Sequence, residues 1–133
     1  MPQKITKLTT MEIINYFNLM LPEEACGLLV SEKNNQIINS FISIPNVSID
    51  KLQQFRFDPK AYIEAIYNIE HRDGKILGIV HSHPTSDPFP SNEDLENWYY
   101  YDLSYWIYSF KNNSLNAYYI TENKIGMLEY KII

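Results

Sequence analysis

Between Lys75 and Val80 the chain reads Lys-Ile-Leu-Gly-Ile-Val, apolar from its second residue onward, and it passes directly into His81-Ser82-His83-Pro84. Successive side chains of a strand point to opposite faces, so an unbroken apolar run leaves neither face for water. The run predicts a central strand covered on both sides. A chain built around such a strand has to be layered, with other elements packed above and below it.

The flanking sequence supplies those layers. Thr9-Thr10-Met11-Glu12 fits a capping box with Thr9 as cap. Met11, Ile14, Phe17 and Leu21 follow at helical spacing, and Pro22 closes the helix. Ala25 to Val30 reads as a buried strand, Ser31 to Gln36 as a hairpin turn, and Ile37 to Ile44 as the returning strand. Pro45 to Gln54 is a loop, followed by a short extended piece from Phe55 to Phe57. Asp58-Pro59 starts a second helix, since Asp caps free amides and Pro needs none at the first position. Tyr62, Ala65, Ile66 and Ile69 form its apolar face, and Gly74 is placed to end it. The stretch His83 to Pro90 holds three prolines and must be a loop. Ser91 can cap a helix from Asn92 to about Tyr100. Strands at Tyr105 to Phe110, Leu115 to Thr121 and Ile125 to Tyr130 complete an α+β fold with a mixed, mainly antiparallel sheet. At 133 residues, residues 1–133 are expected to form one domain.

Charge removes whole classes of function. The formal charge is −5 and the 11 Lys and Arg are scattered singly, so there is no basic patch for nucleic acid or for an acidic membrane surface. No apolar stretch approaches the roughly 20 residues of a membrane span. The N-terminal apolar stretch is interrupted by Asn15 and Asn18 and does not read as a signal peptide. Cys26 is the single cysteine, so no intrachain disulfide can form. A cytoplasmic protein is expected.

His81 and His83 stand two apart at a strand end and therefore project to the same side. Both imidazoles can reach one ion at the roughly 2.0–2.1 Å that zinc requires. Asp94 is three residues into the next helix, and if the proline-rich loop folds back it supplies a third ligand. Two His and one carboxylate leave a tetrahedral zinc one open position, which separates a catalytic site from a structural one. Each residue has an ordinary account as well. A lone His at a strand end is more often hydrogen-bonded scaffold than ligand, Asp94 suits the first turn of a helix, and Ser91 suits an N-cap. Two of the three histidines falling at one strand–loop junction favours the metal reading.

His81-Ser82-His83-Pro84 is followed by Ser91 and, three residues on, by Asp94, with Glu24-Ala25-Cys26-Gly27 upstream. This pattern resembles the JAMM/MPN+ metalloprotease family, in particular its small stand-alone prokaryotic type, and the element order is similar over nearly the whole chain. The resemblance implies a single MPN/JAB-like domain with cytidine-deaminase-like layering. It implies one zinc ion per chain on His81, His83 and Asp94, and a zinc-bound water activated by Glu24 as general base. Ser91 would steady the oxyanion or help place the water. Glu23 is a rival base; the Glu-x-Cys-Gly match selects Glu24, and if the strand extends this far, alternation puts the two on opposite faces.

The resemblance further implies a zinc metallopeptidase acting after the C-terminal tail of a ubiquitin-like or sulfur-carrier protein, at a peptide or isopeptide bond. Competing readings are a catalytically silent binding scaffold of the same fold, a phage-tail-type peptidase, and hydrolysis of a small amide. A thiol mechanism through Cys26 is disfavoured, because a cysteine beside Leu28 and Leu29 should be buried and protonated. His71, at a helix end, is read as a partner of the helix dipole, and the aromatic run Trp98 to Tyr101 with Tyr105 and Trp106 as packing.

Overall fold

The computed structural model describes residues 3–96, 102–122 and 124–133. In chain order the elements are β1 (Gln3–Ile5), α1 (Lys7–Met20), β2 (Cys26–Ser31), a 3-10 turn (Glu32–Asn34), β3 (Ile37–Ile38), β4 (Ser40–Ile44), α2 (Pro59–His71), β5 (Lys75–His83), α3 (Asn92–Glu96), β6 (Ser104–Ser109), β7 (Ser114–Ile120), β8 (Ile125–Leu128) and β9 (Tyr130–Ile132). Six strands form one sheet in the order β4-β2-β5-β6-β7-β8. Strands β5 and β6 run parallel, and the other neighbouring pairs run antiparallel. The expected α+β architecture and mixed sheet are thus present.

Strand β5 sits inside that sheet, between β2 and β6, and is buried from Gly78 to His83. Its alternation sorts the core into two layers. Val80 joins Leu29, Trp106 and Ala117 beneath α1, which contributes Ile13 and Phe17. Ile79 joins Leu28, Tyr105, Ile107 and Tyr118 beneath α2, which contributes Ala65 and Ile69. Each fully buried Val, Leu, Ile or Phe among these stabilises the fold by roughly 1.5–3 kcal/mol, so neither layer can be dispensed with. The expected face of α2 is the buried one, with Ala65 and Ile69 enclosed and Tyr62 and Ile66 half-covered.

Several local expectations are corrected. Thr6, not Thr9, caps α1: its hydroxyl accepts from Thr9 N at 3.1 Å, and the hydroxyls of Thr6 and Thr9 are 2.6 Å apart. The buried stripe is Thr9, Ile13 and Phe17, while Met11 and Leu21 are exposed. At the end of α2 the left-handed residue is Asp73 (φ 59°), and Gly74 instead donates to Ile69 O at 2.9 Å. The returning strand breaks at Asn39, whose side chain accepts from Glu32 N at 2.8 Å. Its first part, β3, joins β1 and β9 in a separate parallel three-stranded sheet. The final strand breaks at Glu129 for the same purpose. Strand β1 carries no periodic signal of its own at three residues, so only this pairing defines it.

Gly27 pairs with Ser43 across the β2–β4 ladder. A methyl group there would meet the Phe41 ring and come within 2.5 Å of the Ile42 carbonyl. Because the obstruction includes backbone, Gly27→Ala is expected to cost about 1–3 kcal/mol. Denaturant titration of the two proteins would show this as a lower midpoint at unchanged slope.

Candidate metal centre and active site

The same alternation that puts Ile79 under α2 puts His81 and His83 on that side of the sheet. The His81 ring is held between Phe55 (centroids 4.4 Å) and Tyr105 (5.2 Å), both roughly stacked on it. His83 is oriented by its Nδ1, which donates to Asp87 O at 2.8 Å. That bond holds a proton on Nδ1 and turns Nε2, the nitrogen a metal-binding histidine would offer, toward Asp94 Oδ2.

Asp94 reaches these rings because the proline-rich loop is pinned at three successive carbonyls. Ser109 Oγ donates to Ser86 O at 2.6 Å, His83 holds Asp87 O, and Tyr118 OH donates to Pro88 O. The chain then enters α3 through a reciprocal cap. Asp94 N donates to Ser91 Oγ at 3.1 Å, and Ser91 N donates to Asp94 Oδ2 at 2.9 Å. This is the geometry of a capping box, with Asp in the place usually taken by Glu. The same Oδ2 lies 3.2 Å from His83 Nε2 and 3.4 Å from His81 Nε2. Ser91 therefore acts as an N-cap, and through that cap it aims the carboxylate. The described part of α3 ends at Glu96; its expected continuation to Tyr100 and the aromatics Trp98, Tyr99, Tyr100 and Tyr101 lie outside the described residues.

Glu24 is the fourth member of the group. Its Oε1 lies 3.9 Å from His81 Nε2, and the side chain is buried, whereas Glu23 stays partly exposed. Strand alternation is not what separates them, since β2 begins only at Cys26. Glu24 is placed by backbone bonds instead: its N–H donates to Lys51 O at 2.7 Å, and its carbonyl accepts from Asn46 Nδ2 at 2.9 Å. The next amide, Ala25 N, donates to Ser82 Oγ at 2.9 Å, so the residue between the two histidines helps to anchor the glutamate.

Electrostatics in this enclosure follow burial and proximity. Burial pushes the Glu24 carboxyl up to about 8, reinforced by Asp94 and only partly opposed by His83. Burial also acts to raise Asp94, but the two histidines and the Ser91 amide outweigh it and hold Asp94 well below the usual carboxylate range. His81 is pushed down by burial, while His83 is lifted by its bonds to Asp94 and Asp87 despite burial.

His81, His83 and Asp94 offer ligand atoms that all lie within 4.8 Å of one another. His81 Nε2 and Glu24 Oε1 are buried and have no hydrogen-bond partner, as is His81 Nδ1. Each unsatisfied buried group costs about 1–3 kcal/mol, and a cation between the imidazoles and the carboxylate would answer that cost at His81 Nε2. Two imidazoles and a carboxylate are a donor set suited to zinc. Beside them opens a cleft of about 580 Å³, lined by Val47, Ile49, Phe55, Arg56 and Tyr62 and reaching Asp94.

Cys26 does not join the site: it is buried, its thiol donates to Ile44 O at 3.3 Å, and burial pushes its pKa up. His71 ends α2 and stacks on Tyr67. Phe55, Ser82, Asn46, Ser109 and Tyr118 shape the site without having been singled out from sequence, and Tyr105, expected as packing, stacks on His81. The one available signal was the aromatic character of Phe55 and Tyr105. No helix among the described residues is long and apolar enough to cross a membrane.

Comparison with known proteins identifies the family and the fold. A family model for prokaryotic homologs of the JAB domain matches residues 11–121, a span that contains Glu24, both histidines, Ser91 and Asp94. A desampylase from Haloferax volcanii is 31% identical over 75 residues, covering 56% of this chain and 54% of the relative. The chain thus spans about half the length of that relative. A desampylase from Pyrococcus furiosus is 29% identical over 111 residues, covering 83% of this chain and 75% of the relative. The crystal structure of a JAB1/MPN domain protein from Archaeoglobus fulgidus shares the fold, with a TM-score of 0.62 over 96% of this chain and 97% of that one at 24% identity.

Equilibrium dialysis of the purified chain against zinc, with elemental analysis, is expected to give about one ion per chain, the count for a single three-ligand site. Asp94→Ala and His83→Ala should each lose most of it. Undiminished zinc in His83→Ala would remove the metal-site assignment.

Proposed function

As this chain belongs to the family of prokaryotic homologs of the JAB domain, we propose that it is a zinc-dependent hydrolase that cuts a peptide or isopeptide bond following the C-terminal tail of a ubiquitin-like or sulfur-carrier protein. The observation that carries the reading is the convergence of His81, His83 and Asp94, with the buried Glu24 carboxyl 3.9 Å from His81 and Asp94 on the wall of an open cleft. Similarity to two desampylases supports the choice of substrate class.

His81, His83 and Asp94 would hold the zinc. Bound there, the ion supplies Lewis acidity toward a carbonyl oxygen and toward water, whose pKa such an ion lowers to about 7. Glu24 takes the proton of the attacking water at its unpartnered Oε1 and returns it to the leaving amine. Its carboxyl suits both transfers: burial raises its pKa, and a neighbouring cation would lower it again. Asp94 stays ionised throughout, held so by the histidines and the Ser91 amide. The Ser91 hydroxyl accepts from Asp94 N and keeps its own proton available, which it can offer to the oxyanion or to the water. Phe55 and Tyr105 exclude water from the His81 ring on both faces. The apolar cleft wall, with Val47, Ile49 and Phe57, suits an extended chain laid alongside the site.

Glu24→Gln keeps the shape and removes the base. It is expected to retain zinc and the parent's thermal stability while losing at least about 10²-fold in kcat on a ubiquitin-like fusion substrate. A Glu24→Gln protein with parental turnover would end the general-base assignment. For Ser91, the glycine variant separates two functions. Gly costs a cap only a few tenths of a kcal/mol, so Ser91→Gly should melt close to the parent, and a loss of roughly 10²–10³ in kcat at unchanged zinc content would assign the hydroxyl to the oxyanion.

A further inference from the structure

Asn46 lies outside the set of groups that resemble a known motif, yet its side chain is among the most fully used in the molecule. The carboxamide is buried and makes four hydrogen bonds. Nδ2 donates to Glu24 O at 2.9 Å and to Gln54 O at 3.0 Å. Oδ1 accepts from Ser48 N and from Arg56 N, each at 3.0 Å. Two donors and two lone pairs are the full capacity of an amide side chain. All four partners are backbone groups, so Asn46 does for the loop 45–57 what a strand partner would otherwise do.

That loop also forms one wall of the cleft, through Val47, Ser48, Ile49, Gln54, Phe55 and Arg56. The connection to Glu24 is double. Asn46 holds its carbonyl, and Lys51, from the same loop, accepts its N–H at 2.7 Å. Glu24 precedes β2 and has no ladder of its own, so both polar groups of its peptide backbone depend on this one segment. Phe55 of the same segment packs on His81, which faces Glu24.

We propose that Asn46 is a positioning residue for Glu24: by locking the cleft-wall loop to the glutamate's backbone, it sets where the carboxylate stands relative to His81. This rests on the reading of Glu24 as general base, and it adds that the base is held by the surface the substrate tail touches. A chain lying in the cleft then stiffens the support of Glu24 as it binds. Glutamine cannot replace Asn46, since an additional methylene would carry the amide past all four partners.

The test begins on the metal-free chain, where neither zinc nor turnover enters. In Asn46→Ala, amide hydrogen exchange at Glu24, Ser48 and Arg56 should rise at least about tenfold, while Leu28 and Ile79 in the core stay within about twofold of the parent. Unchanged exchange at Glu24, or a uniform rise across the core, would overturn the proposal. Should Asn46→Ala fail to fold, Asn46→Asp measured at alkaline pH serves in its place. It keeps the acceptor bonds to Ser48 and Arg56 and removes the two donors, so exchange should rise at Glu24 and spare Ser48. In the zinc-loaded enzyme, on a ubiquitin-like protein fused through its C-terminus to a reporter peptide, kcat should fall roughly 10- to 100-fold with zinc content unchanged and KM within about twofold. A raised KM at parental kcat would overturn the positioning claim and make Asn46 a shaper of the cleft alone. Parental turnover in Glu24→Gln would sink the base assignment while leaving the exchange result to judge the hold of Asn46 on Glu24.

Discussion

Strand β5 has no side to give to water, and the site is a consequence of that constraint. With β2 and β6 on its edges and a helix layer over each face, every side chain from Gly78 to His83 is committed to one layer or the other. Val80 and Ser82 go toward α1, and Ile79, His81 and His83 toward α2. A one-residue slip would exchange the layers, placing two imidazoles in the apolar core beneath α1 and Val80 at the cleft. Hydrophobic pattern and catalytic geometry are thus the same requirement at this strand.

The polar groups gathered there are expensive, and the structure shows where the cost is offset. A carboxylate is stable in low dielectric only when its charge and lone pairs are satisfied. Asp94 meets that condition by serving as helix cap and as partner of two imidazoles with a single oxygen. Glu24 does not meet it, and its raised pKa records the deficit. Perturbed carboxylates of this kind cluster where protons are to be moved. The fold holds Glu24 in place through backbone anchors, from Asn46, Lys51 and Ser82, that do not depend on the state of the carboxyl group itself.

The loop 84–90 shows how a segment without regular structure can be as well defined as a strand. Its carbonyls at Ser86, Asp87 and Pro88 are each taken by a side chain from β5, β6 or β7. Proline restricts the backbone dihedrals beforehand, which reduces the entropy lost on fixing the loop. The outcome is that Asp94, eleven residues beyond His83, returns to within 3.2 Å of it.

Local chemistry was enough to read the central strand, the second helix with its Asp58 cap, the shared face of His81 and His83, and the candidacy of Asp94 and Ser91. Each of these depends on residues a few positions apart, where alternation and capping set the geometry directly. The start of α1 is not legible locally because three threonines, Thr6, Thr9 and Thr10, are all competent caps, and the pairing of β1 with β3 and β9 fixes where the helix begins. That small sheet was itself invisible, since strands of two and three residues carry no period. The side of Glu24, the stacking of Phe55 and Tyr105 on His81, and the four bonds of Asn46 were decided by tertiary structure alone. They join segments tens of residues apart, and a sequence records which groups can hydrogen-bond or stack but not which of them folding will bring within reach.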